Sequence, residues 1–325
     1  MTAPHAVLES AARASLRAPS VFNTQPWKWR IAGDVMELRA DPDRRLRITD
    51  PDGRLLLLSC GGALYHARIA LAAAGRAVTV DRLPDADQRD LLARLRLGGS
   101  VPRDPEAVDL TAAISRRHTD RRAFGDRPVS DETLTGLRRV VESQGAYLHV
   151  VPRDQVPMLG ITSEQAADAE SGDPAYRAEL TEWTNRPAWT GDGVPPATAV
   201  EPALRRVPVR NFAPQGAEVL PVGDDHDKGA EYVILFGLQD RPIDLLRGGE
   251  ALSALLLKAT AAGLSTAPLT EAVEVAWPRY LLRELLSDVG EPYVVVRLGY
   301  AGSSQSLPAT PRRAASETIT VEPDH

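Results

Sequence analysis

Two alanine-rich segments, residues 61–75 and residues 249–263, constrain the fold of this chain more than any other feature of its sequence. When one segment is set over the other without a gap, both begin and end with glycine and carry an alanine pair before the last glycine. Each pattern predicts an apolar helix that stops at its final glycine. The spacing is too long for a solenoid repeat. Two interpretations remain: a chance likeness between two Ala/Leu helices, or a duplicated α+β unit.

The size and composition are those of a globular protein. The chain has 325 residues, of which 43% are hydrophobic and 25% charged, enough for one large domain or two ordinary ones. Unbroken apolar runs such as Leu55–Leu58 and Tyr232–Phe236 are far shorter than the roughly 20 residues of a membrane helix. The segment 1–20 lacks the apolar core of a signal peptide. We therefore expect a cytoplasmic protein with no membrane partner.

Charge and cysteine content exclude several classes of function. The net charge is −6 and aromatic residues make up only 5%, whereas a general nucleic-acid binder needs a basic face and stacking rings. Cys60 is the only cysteine, so no intramolecular disulfide, Cys2His2-type zinc site or CxxC redox pair can form. Only three of the 38 basic residues are lysines. This skew makes an arginine cluster less informative here than in an average chain.

The first third of the chain predicts alternating helices and strands. Apolar patterning and turn residues indicate a helix over 5–17, a loop over 18–27, strands over 27–31 and 35–40, a helix over 59–74, a strand over 77–81 and a polar helix near 85–96.

A second series of elements begins near residue 110. It consists of an arginine-rich helical stretch over 111–122, a helix over 131–143 with Ser130 as its N-cap, a strand over 146–151, helices near 155–169 and 173–185, a strand over 231–239, helices over 249–262 and 278–288, and a strand over 292–299. Residues 153–230 are polar and rich in Pro, Gly, Asp and Trp, which indicates an excursion that packs over another part of the molecule.

Four arginines, a histidine and a threonine lie within residues 116–122. Guanidinium groups present paired donors in a planar fork, which suits a dianionic phosphate. A second basic pair, Arg312–Arg313, follows Pro311 in the tail, and the two groups could close on one anion. The alternatives are a solvated helix end for the first group and a charged, mobile terminus for the second.

A proline-bracketed loop precedes the first predicted strand. Its three polar side chains, at positions 23–25, can offer amide and hydroxyl hydrogen bonds to a planar heterocycle. The alternative is a simple helix-to-strand turn with Trp27 in the core. Such a turn does not need both Asn23 and Gln25.

Other catalytic chemistries lack a matching pattern. Cys60 and His66 do not share a helix face well, which disfavours a nucleophile pair. Residues Asp224–Asp227 lack the spacing of a calcium loop and are expected to form a solvated turn. The chain has no Gly-x-Ser-x-Gly elbow, GxGxxG motif or Walker loop, and no metal-ligand cluster. What remains is a set of donors for a phosphate and a flat ring, typical of a flavin site in which the cofactor supplies the chemistry.

Three motifs carry a family resemblance. Ala-Pro-Ser-x-x-Asn-x-Gln-Pro-Trp at 18–27, Arg-His-Thr-x-Arg-x-Ala-Phe at 117–124 and Pro-Arg-Arg at 311–313 resemble those of the FMN-dependent nitroreductases. More narrowly, the chain resembles the Acg-type branch, single chains of about this length linked to dormancy in actinobacteria. The resemblance spans nearly the whole chain. It implies an α+β nitroreductase-like fold and FMN as the cofactor.

The resemblance implies a set of cofactor-binding residues. They are Pro19, Ser20, Asn23, Gln25, Arg117, His118, Thr119, Arg121, Pro268, Leu269, Thr270, Arg312 and Arg313. It implies that the loop lies along the isoalloxazine, that the arginine segment grips the phosphate and ribityl, and that the tail closes on the phosphate. The backbone of residues 268–271 matches the stretch that faces the flavin N5. The family's usual pattern there is an acidic residue then glycine, whereas this chain has Thr270–Glu271.

The order of the motifs differs from that of ordinary nitroreductases, where the arginine segment precedes the QPW loop and two chains share each site. Here the QPW loop comes first, and none follows Phe124. We therefore predict two related halves that mimic the dimer: residues 1–110, a degenerate half supplying the QPW loop, and residues 111–325, the FMN-binding half. A monomer with one FMN follows. The excursion 153–230 is a predicted lid over the flavin; the alternative is a peripheral loop.

The resemblance leaves three functions open. The first is hydride transfer from NAD(P)H to FMN and then to a nitro compound, quinone or other small acceptor, with no catalytic side chain identifiable in the sequence. The second is sequestration of FMN under a closed lid with little turnover. The third is a flavin-dependent oxidase or dehydrogenase that acts on a biosynthetic intermediate.

Overall fold

Two β-sheets organise the computed structural model, which describes residues 4–201, 203–212, 219–223, 226–303 and 305–323. The strands are β1 (Trp27–Ala32), β2 (Val35–Ala40), β3 (Arg76–Arg82), β4 (Leu91–Ser100), β5 (Tyr147–Val150), β6 (Glu231–Gly237), β7 (Ser265–Leu269), β8 (Glu291–Gly299) and β9 (Ile319–Val321). The helices are α1 (Pro4–Ser15), α2 (Arg54–Ala73), α3 (Pro105–Ile114), α4 (Asp131–Glu142), α5 (Val156–Gly172), α6 (Pro174–Thr184), α7 (Pro242–Ala261), α8 (Glu271–Glu274), α9 (Ala276–Leu285) and α10 (Ala315–Thr318).

Four strands of each sheet, β1–β4 in the first and β5–β8 in the second, follow the same spatial order. Across the first sheet the order is β3-β4-β2-β1-β9, and across the second it is β7-β8-β6-β5. Neighbours within each set of four are antiparallel. In each set one long helix, α2 or α7, lies in sequence between the second and third strands. The short strand β9 pairs in parallel with β1 and forms an edge of the first sheet.

The two sets differ in one long connection. A two-residue turn, Gly33–Asp34, joins β1 to β2, whereas residues 151–230 lie between β5 and β6 and contain α5 and α6. The predicted excursion over 153–230 therefore falls at a single point in the second set.

The helices α2 and α7 have 20 residues each and pack against each other at two glycines. A Cβ atom on Gly61 would overlap the carbonyl oxygen of Leu246, and one on Gly249 would overlap that of Leu58. Gly61 and Gly249 are the first residues of the two alanine-rich segments, and their contacts are reciprocal, as in an isologous interface between two subunits. Any side chain at either glycine would force the helices apart.

The helix α2 is also the most apolar long element. Within the described ranges it is the one helix long and apolar enough to cross a membrane, and 78% of that apolar window is buried inside the protein. It contributes to the apolar cores of both sheets, through Leu55 and Leu58 on one side and Ala63 and Leu64 on the other. In this fold, α2 is therefore a core helix.

One predicted helix is a strand. Residues 91–100 form β4 rather than part of a polar helix at 85–96. Ala93, Leu95 and Leu97 are buried and alternate with arginines, which is the two-residue period of a half-buried strand.

The helix predicted for the arginine-rich stretch over 111–122 is also wrong. The helix α3 begins earlier, at Pro105, and ends at Ile114. The chain beyond it is irregular and runs beside β7, where the Asp120 N–H donates to the carbonyl oxygen of Thr266 at 2.9 Å. Contacts with a distant strand therefore replace the helical hydrogen bonds.

The long helices begin earlier than predicted. The α2 helix starts at Arg54 because the Asp50 carboxylate accepts from the N–H groups of Leu55, at 3.1 Å, and Leu56, at 2.9 Å. The α7 helix starts at Pro242, and proline is favoured in a first turn. The N-cap predicted at Ser130 is confirmed: its side chain accepts from the N–H of Thr133. Strands β7 and β9 were not predicted.

Candidate functional site

A cleft with two connected chambers lies between the proline-bracketed loop (residues 18–27), the arginine segment (residues 116–122) and the tail (residues 305–313). The polar chamber is lined by Asn23, Arg117, His118, Gly193, Val194, Pro195, Thr198, Leu307, Pro308, Thr310 and Arg312. The apolar chamber is lined by Val21, Leu55, Leu58, Ser59, Phe212, Leu252, Pro268, Thr270 and Val294. Both chambers share Pro19, Ser20, Phe22, Thr119 and Arg121.

The proline-bracketed loop has an unusual backbone. Phe22, Asn23 and Gln25 all adopt positive φ, at 46°, 54° and 49°, a region that costs side-chain-bearing residues about 1–2 kcal/mol each. The Ser20 hydroxyl holds the loop by accepting from the Gln25 N–H at 2.9 Å. The N–H of Val21 donates to the α2 hydroxyl of Ser59 at 3.3 Å. Strain of this kind persists where the surrounding structure enforces it, commonly at functional sites.

The arginine segment is held by a fully buried arginine on β8. The Arg297 guanidinium donates to the carbonyl oxygens of Asp120 and Arg122 at 2.9 and 2.8 Å. It also pairs with the buried Asp227 carboxylate at 2.7 Å. Within the segment Arg122 is used internally, in an ion pair with Asp120 at 2.9 Å. Arg116 is exposed, so Arg117 and Arg121 are the arginines of this segment that line the cleft.

Three guanidinium groups converge on the polar chamber: Arg117, Arg121 and Arg312. Burial lowers the pKa of Arg117 to about 10 and of Arg121 to about 10. Burial, followed by the charges of Arg117 and Arg17, lowers the pKa of Arg312 to about 9. None of the three forms an ion pair with a carboxylate of the described residues. Desolvated cations are costly unless they are paired, so the chamber is built to receive an anion.

The His118 imidazole lies in the same chamber. Burial and then the charges of Arg117 and Arg312 lower its pKa, so the ring is neutral at physiological pH. It can therefore offer one N–H donor to an anion without adding a further buried charge.

The amide of Asn23 connects the loop to the excursion and the tail. Its nitrogen donates to the carbonyl oxygens of Gly193 at 3.0 Å and Pro311 at 3.1 Å. Its oxygen accepts from Arg312 at 2.7 Å. Asn23 thus lines the chamber while its amide is engaged with protein groups.

The amide of Gln25 makes a parallel set of bonds. Its nitrogen donates to the carbonyl oxygen of Gly191 at 2.8 Å, and its oxygen accepts from the Arg313 N–H at 3.0 Å. Nearby, Arg44 and Arg186 pair with Asp192. Through Asn23 and Gln25 the loop is thus bonded to the excursion and to the tail. We call these bonds, together with the ion pairs of Asp192, the clasp.

Ten of the thirteen sequence-predicted site residues line the cleft, and three do not. Gln25 belongs to the clasp. Leu269 packs in the core of the second sheet. The Arg313 guanidinium pairs with Asp41 at 3.6 Å and Glu317 at 3.5 Å. The cofactor-binding roles given to all thirteen remain predictions.

The described part of the excursion closes one side of the cleft. Phe212 packs edge-to-face on Phe22, with ring centroids 5.8 Å apart, and Arg121 lies over the Phe212 ring at 4.4 Å. The polar and apolar chambers enclose about 70 and 100 Å³, below the roughly 300–1,000 Å³ usual for small-molecule pockets. Either chamber alone is therefore smaller than a cofactor-sized ligand.

Sequence reasoning missed several residues that shape this region. Residues Asp224–Asp227 are predicted to form a solvated turn, and this prediction is wrong for Asp227. That side chain is fully buried and pairs with Arg297. Asp224 and Asp225 lie outside the described residues. A lone arginine in the apolar run of β8 was a usable signal for that pair. Phe212 carried no such signal. The described ranges also contain no group of three or more His, Cys, Asp or Glu side chains that could hold a metal ion.

No protein-family model matches the chain. The chain is 40% identical over 314 residues to Rv3131 of Mycobacterium tuberculosis (strain ATCC 25618 / H37Rv), assigned as an NAD(P)H nitroreductase, across 94% of this chain and 88% of that protein. It is 35% identical over 328 residues to Acg of the same strain, assigned likewise, across 97% and 96%. The chain therefore belongs to the nitroreductase superfamily and, within it, to the Acg-type group. The predicted oxidoreductase class is confirmed.

Solved nitroreductases with bound FMN give weaker likenesses. The structure from Desulfitobacterium hafniense DCB-2 is 15% identical with a TM-score of 0.40, across 65% of this chain and 97% of that one. The structure from Bacteroides fragilis NCTC 9343 is 14% identical with a TM-score of 0.39, across 65% and 98%. The family membership and the mixed sheets and helices together confirm the predicted α+β, nitroreductase-like fold.

Proposed function

We propose that the cleft binds FMN and that the protein uses it to pass electrons from NAD(P)H to a small nitro, quinone or related acceptor. One observation carries the proposal: the desolvated guanidinium groups of Arg117 and Arg312, without carboxylate partners among the described residues, stand at one end of a cleft whose other end is apolar. The desolvated Arg121 lies between the two ends. A dianionic phosphate attached to a flat aromatic ring matches both ends. The names of the Acg-type relatives agree with this chemistry.

The residues present suit the parts of FMN. Arg117 and Arg312 would hold the phosphate through charge-assisted hydrogen bonds, with His118 as a neutral donor. Pro19, Ser20 and the apolar chamber would hold the ring. When bound, FMN supplies two-electron transfer between the nicotinamide and the acceptor.

Arg121 lies at the border of the two chambers. Its guanidinium donates to the carbonyl oxygen of Thr198 at 3.2 Å and packs on Phe212. A fixed positive charge in a water-poor site stabilises negative charge that develops beside it. Arg121 therefore orients and electrostatically supports the occupant of the apolar chamber.

We infer a single FMN per monomer, with residues 1–110 and 111–325 as related halves. The halves are compared in the register that sets Gly61 over Gly249. In that register, two residues beside the cleft have counterparts of different chemistry in the other half. Gly62 packs beside Pro19 and Thr270 lines the apolar chamber; their counterparts Glu250 and Arg82 form an ion pair at 2.7 Å. That pair would occupy the space of a second ring. We also expect a cytoplasmic location with no membrane or nucleic-acid partner.

Sequestration of FMN is the second candidate, and the contacts that clasp the excursion over the polar chamber favour it. The deciding experiment mixes the FMN-loaded protein anaerobically with NADH or NADPH and follows the visible flavin absorption band. Fast bleaching, then recovery with a nitroaromatic, supports the reductase. Bleaching by dithionite but not by either nicotinamide supports sequestration. A protein that remains colourless after incubation with excess FMN would contradict both candidates.

A further inference from the structure

A separate cavity of about 580 Å³ lies inside the excursion, which we call the excursion cavity. Its walls come from α5, α6 and residues 208–211, with Glu271 at its base. Arg210 at its inner wall stacks over Phe22 at 4.9 Å and Phe212 at 5.8 Å. These aromatic rings line the cleft, so they separate the excursion cavity from the apolar chamber. The volume is that of an ordinary small-molecule pocket.

More carboxylates than cations lie at the inner wall of the excursion cavity and directly behind it, where Glu274 contacts Arg210. The buried Arg210 guanidinium faces Glu274 at 2.6 Å, Glu170 at 3.0 Å and Glu271 at 3.7 Å. Glu271 also accepts from the Arg210 N–H at 2.9 Å. One positive charge therefore serves three carboxyl groups, and a buried excess of negative charge is unfavourable unless protons or another cation compensate it.

Two further charged side chains line the mouth of the excursion cavity. Asp168 and Arg177 are both exposed, and Arg177 donates to the carbonyl oxygen of Ser171. The remaining titratable group is the phenol of Tyr176, whose pKa is raised by burial. With Arg210, Glu170 and Glu271, these are the charged and titratable side chains that face the cavity from the described residues.

The Tyr176 hydroxyl is the second observation that points to a ligand. Tyr176 is 5% exposed and lines the excursion cavity. Its hydroxyl has no hydrogen-bond partner among the residues that the structure describes. Buried polar atoms are satisfied in the great majority of cases, so an unpaired hydroxyl that lines a cavity indicates a polar partner that enters it.

We propose that the excursion cavity binds a small organic ammonium ion with an apolar body. The ammonium group donates to the carboxylate of Glu170 and to the Tyr176 hydroxyl. The apolar body packs on Leu180 and the neighbouring apolar side chains at positions 208 and 209. The ammonium charge takes the place of the proton that otherwise compensates the carboxylate excess around Arg210. This site is independent of the flavin proposal.

The protonation of Glu170 links the ligand to pH. Burial raises the pKa of Glu170 to about 9, against the attraction of Arg210 and with a further rise from Glu274 and Glu271. The carboxyl group is therefore protonated near neutral pH. A bound ammonium ion lowers that pKa, so binding releases a proton and strengthens as the pH rises, until the amine itself loses its charge.

The test is calorimetric titration of the full-length protein with benzylamine near neutral pH, with benzyl alcohol as the uncharged analogue. We expect saturable one-to-one binding of benzylamine, about 10-fold or more tighter than the alcohol. Titrations in two buffers of different ionisation enthalpy should reveal the proton released. Absence of saturable binding, or equal affinity for the alcohol, overturns the proposal. Repeating the titration with and without FMN separates this result from that of the flavin proposal.

Benzylamine binding by substituted proteins tests which residues form the site. Glu170→Gln should abolish proton release and weaken benzylamine binding about 10-fold or more, and Tyr176→Phe should weaken binding without removing the proton release. Glu164→Gln, at an exposed position of the same helix α5, is the matched control and should leave both unchanged. If Glu170→Gln does not fold, Tyr176→Phe and the titration of the unaltered protein decide. Equal binding by all variants contradicts the assignment.

Discussion

At the scale of single residues, the polar chamber is defined by which arginines lack a partner. Arg116 faces solvent and Arg122 is neutralised by Asp120. Arg117 is buried with no carboxylate beside it within the described ranges. Neighbouring arginines of identical chemistry therefore contribute differently to anion binding, and the difference lies in their surroundings.

Replacing Arg117 should separate these roles. Arg117→Ala removes a charge-assisted hydrogen bond worth roughly 1.5–3 kcal/mol, so we expect the Kd for FMN to rise about 10- to 100-fold. Arg116→Ala is the control and should change it less than about twofold. Titration followed by flavin fluorescence measures both. Equal effects of the two substitutions would refute the assignment of the phosphate site.

The same substitution has an opposite consequence without ligand. An unpaired buried cation destabilises the folded state, so Arg117→Ala should melt at the same temperature as the parent protein or higher when FMN is absent. Thermal unfolding of the FMN-free proteins provides the measurement. A clear drop in melting temperature would mean that Arg117 serves structure rather than anion binding.

The raised pKa of Glu170 predicts how the stability of the folded protein changes with pH. Its folded-state pKa of about 9 lies above the ordinary value of 4.5, so the folded state binds more protons and stability falls as pH rises between these values. Glu170→Gln should flatten that part of the profile, and Glu164→Gln should not. Denaturant unfolding from about pH 5 to about pH 9 tests it. An identical profile for Glu170→Gln and the parent would contradict the raised pKa.

At the scale of elements, the clasp joins three segments that are far apart in sequence. Gly191 has a φ of 68°, and a Cβ there would overlap the carbonyl oxygen of Arg312. The close approach lets the excursion and the tail meet over the polar chamber. Opening the clasp therefore requires this contact to separate.

Gly191→Ala should loosen the clasp. We expect faster dissociation of FMN, because the added methyl group displaces the excursion from the tail. Gly223→Ala is a matched control, with a positive φ of 88° but nothing within 4 Å of the added Cβ. It has the backbone strain without the overlap, so its dissociation rate should stay close to that of the parent. Stopped-flow displacement of FMN measures both rates, and equal rates for the two variants would contradict the clasp.

The crossing of α2 and α7 gives a prediction on stability. Gly61→Ala should destabilise the protein by about 1–3 kcal/mol or more, because the methyl group would overlap the backbone of α7. Gly136→Ala, in α4 with open space around the added Cβ, should instead stabilise by about 0.5–1 kcal/mol. Chemical denaturation of both variants checks the pair. A harmless Gly61→Ala would rule out the close helix contact.

At the scale of the whole molecule, the repeated strand order and the reciprocal glycine contact agree with a single chain that mimics a dimer. We expect a monomer of 35.1 kDa that releases one equivalent of FMN on denaturation. Light scattering and quantification of the extracted flavin test this. Two equivalents per chain would contradict the blocking role of Glu250 and Arg82.

Sequence reasoning identified the segments of the cleft because their motifs are local. It could not distinguish Arg117 from Arg122, because which arginine pairs with Asp120 depends on the folded course of the segment. That course is held by Arg297, which lies far along the chain and binds the carbonyl oxygens of Asp120 and Arg122. It placed Asn23 along the ring, which remains a prediction, but it did not foresee that the amide bonds to excursion and tail carbonyls. The helices predicted over 85–96 and 111–122 were wrong because both stretches contact strands that are distant in sequence. Such contacts leave no local pattern.

The late position of β9 has a consequence for biosynthesis. Its residues pair with β1, near the opposite end of the chain, and Arg312 of the polar chamber precedes them by only a few residues. Until these residues have been made, the first sheet therefore has an open edge and the polar chamber lacks one of its three guanidinium groups. One short stretch of chain, synthesised after the rest of both sheets, completes the edge of the first sheet and the polar chamber together.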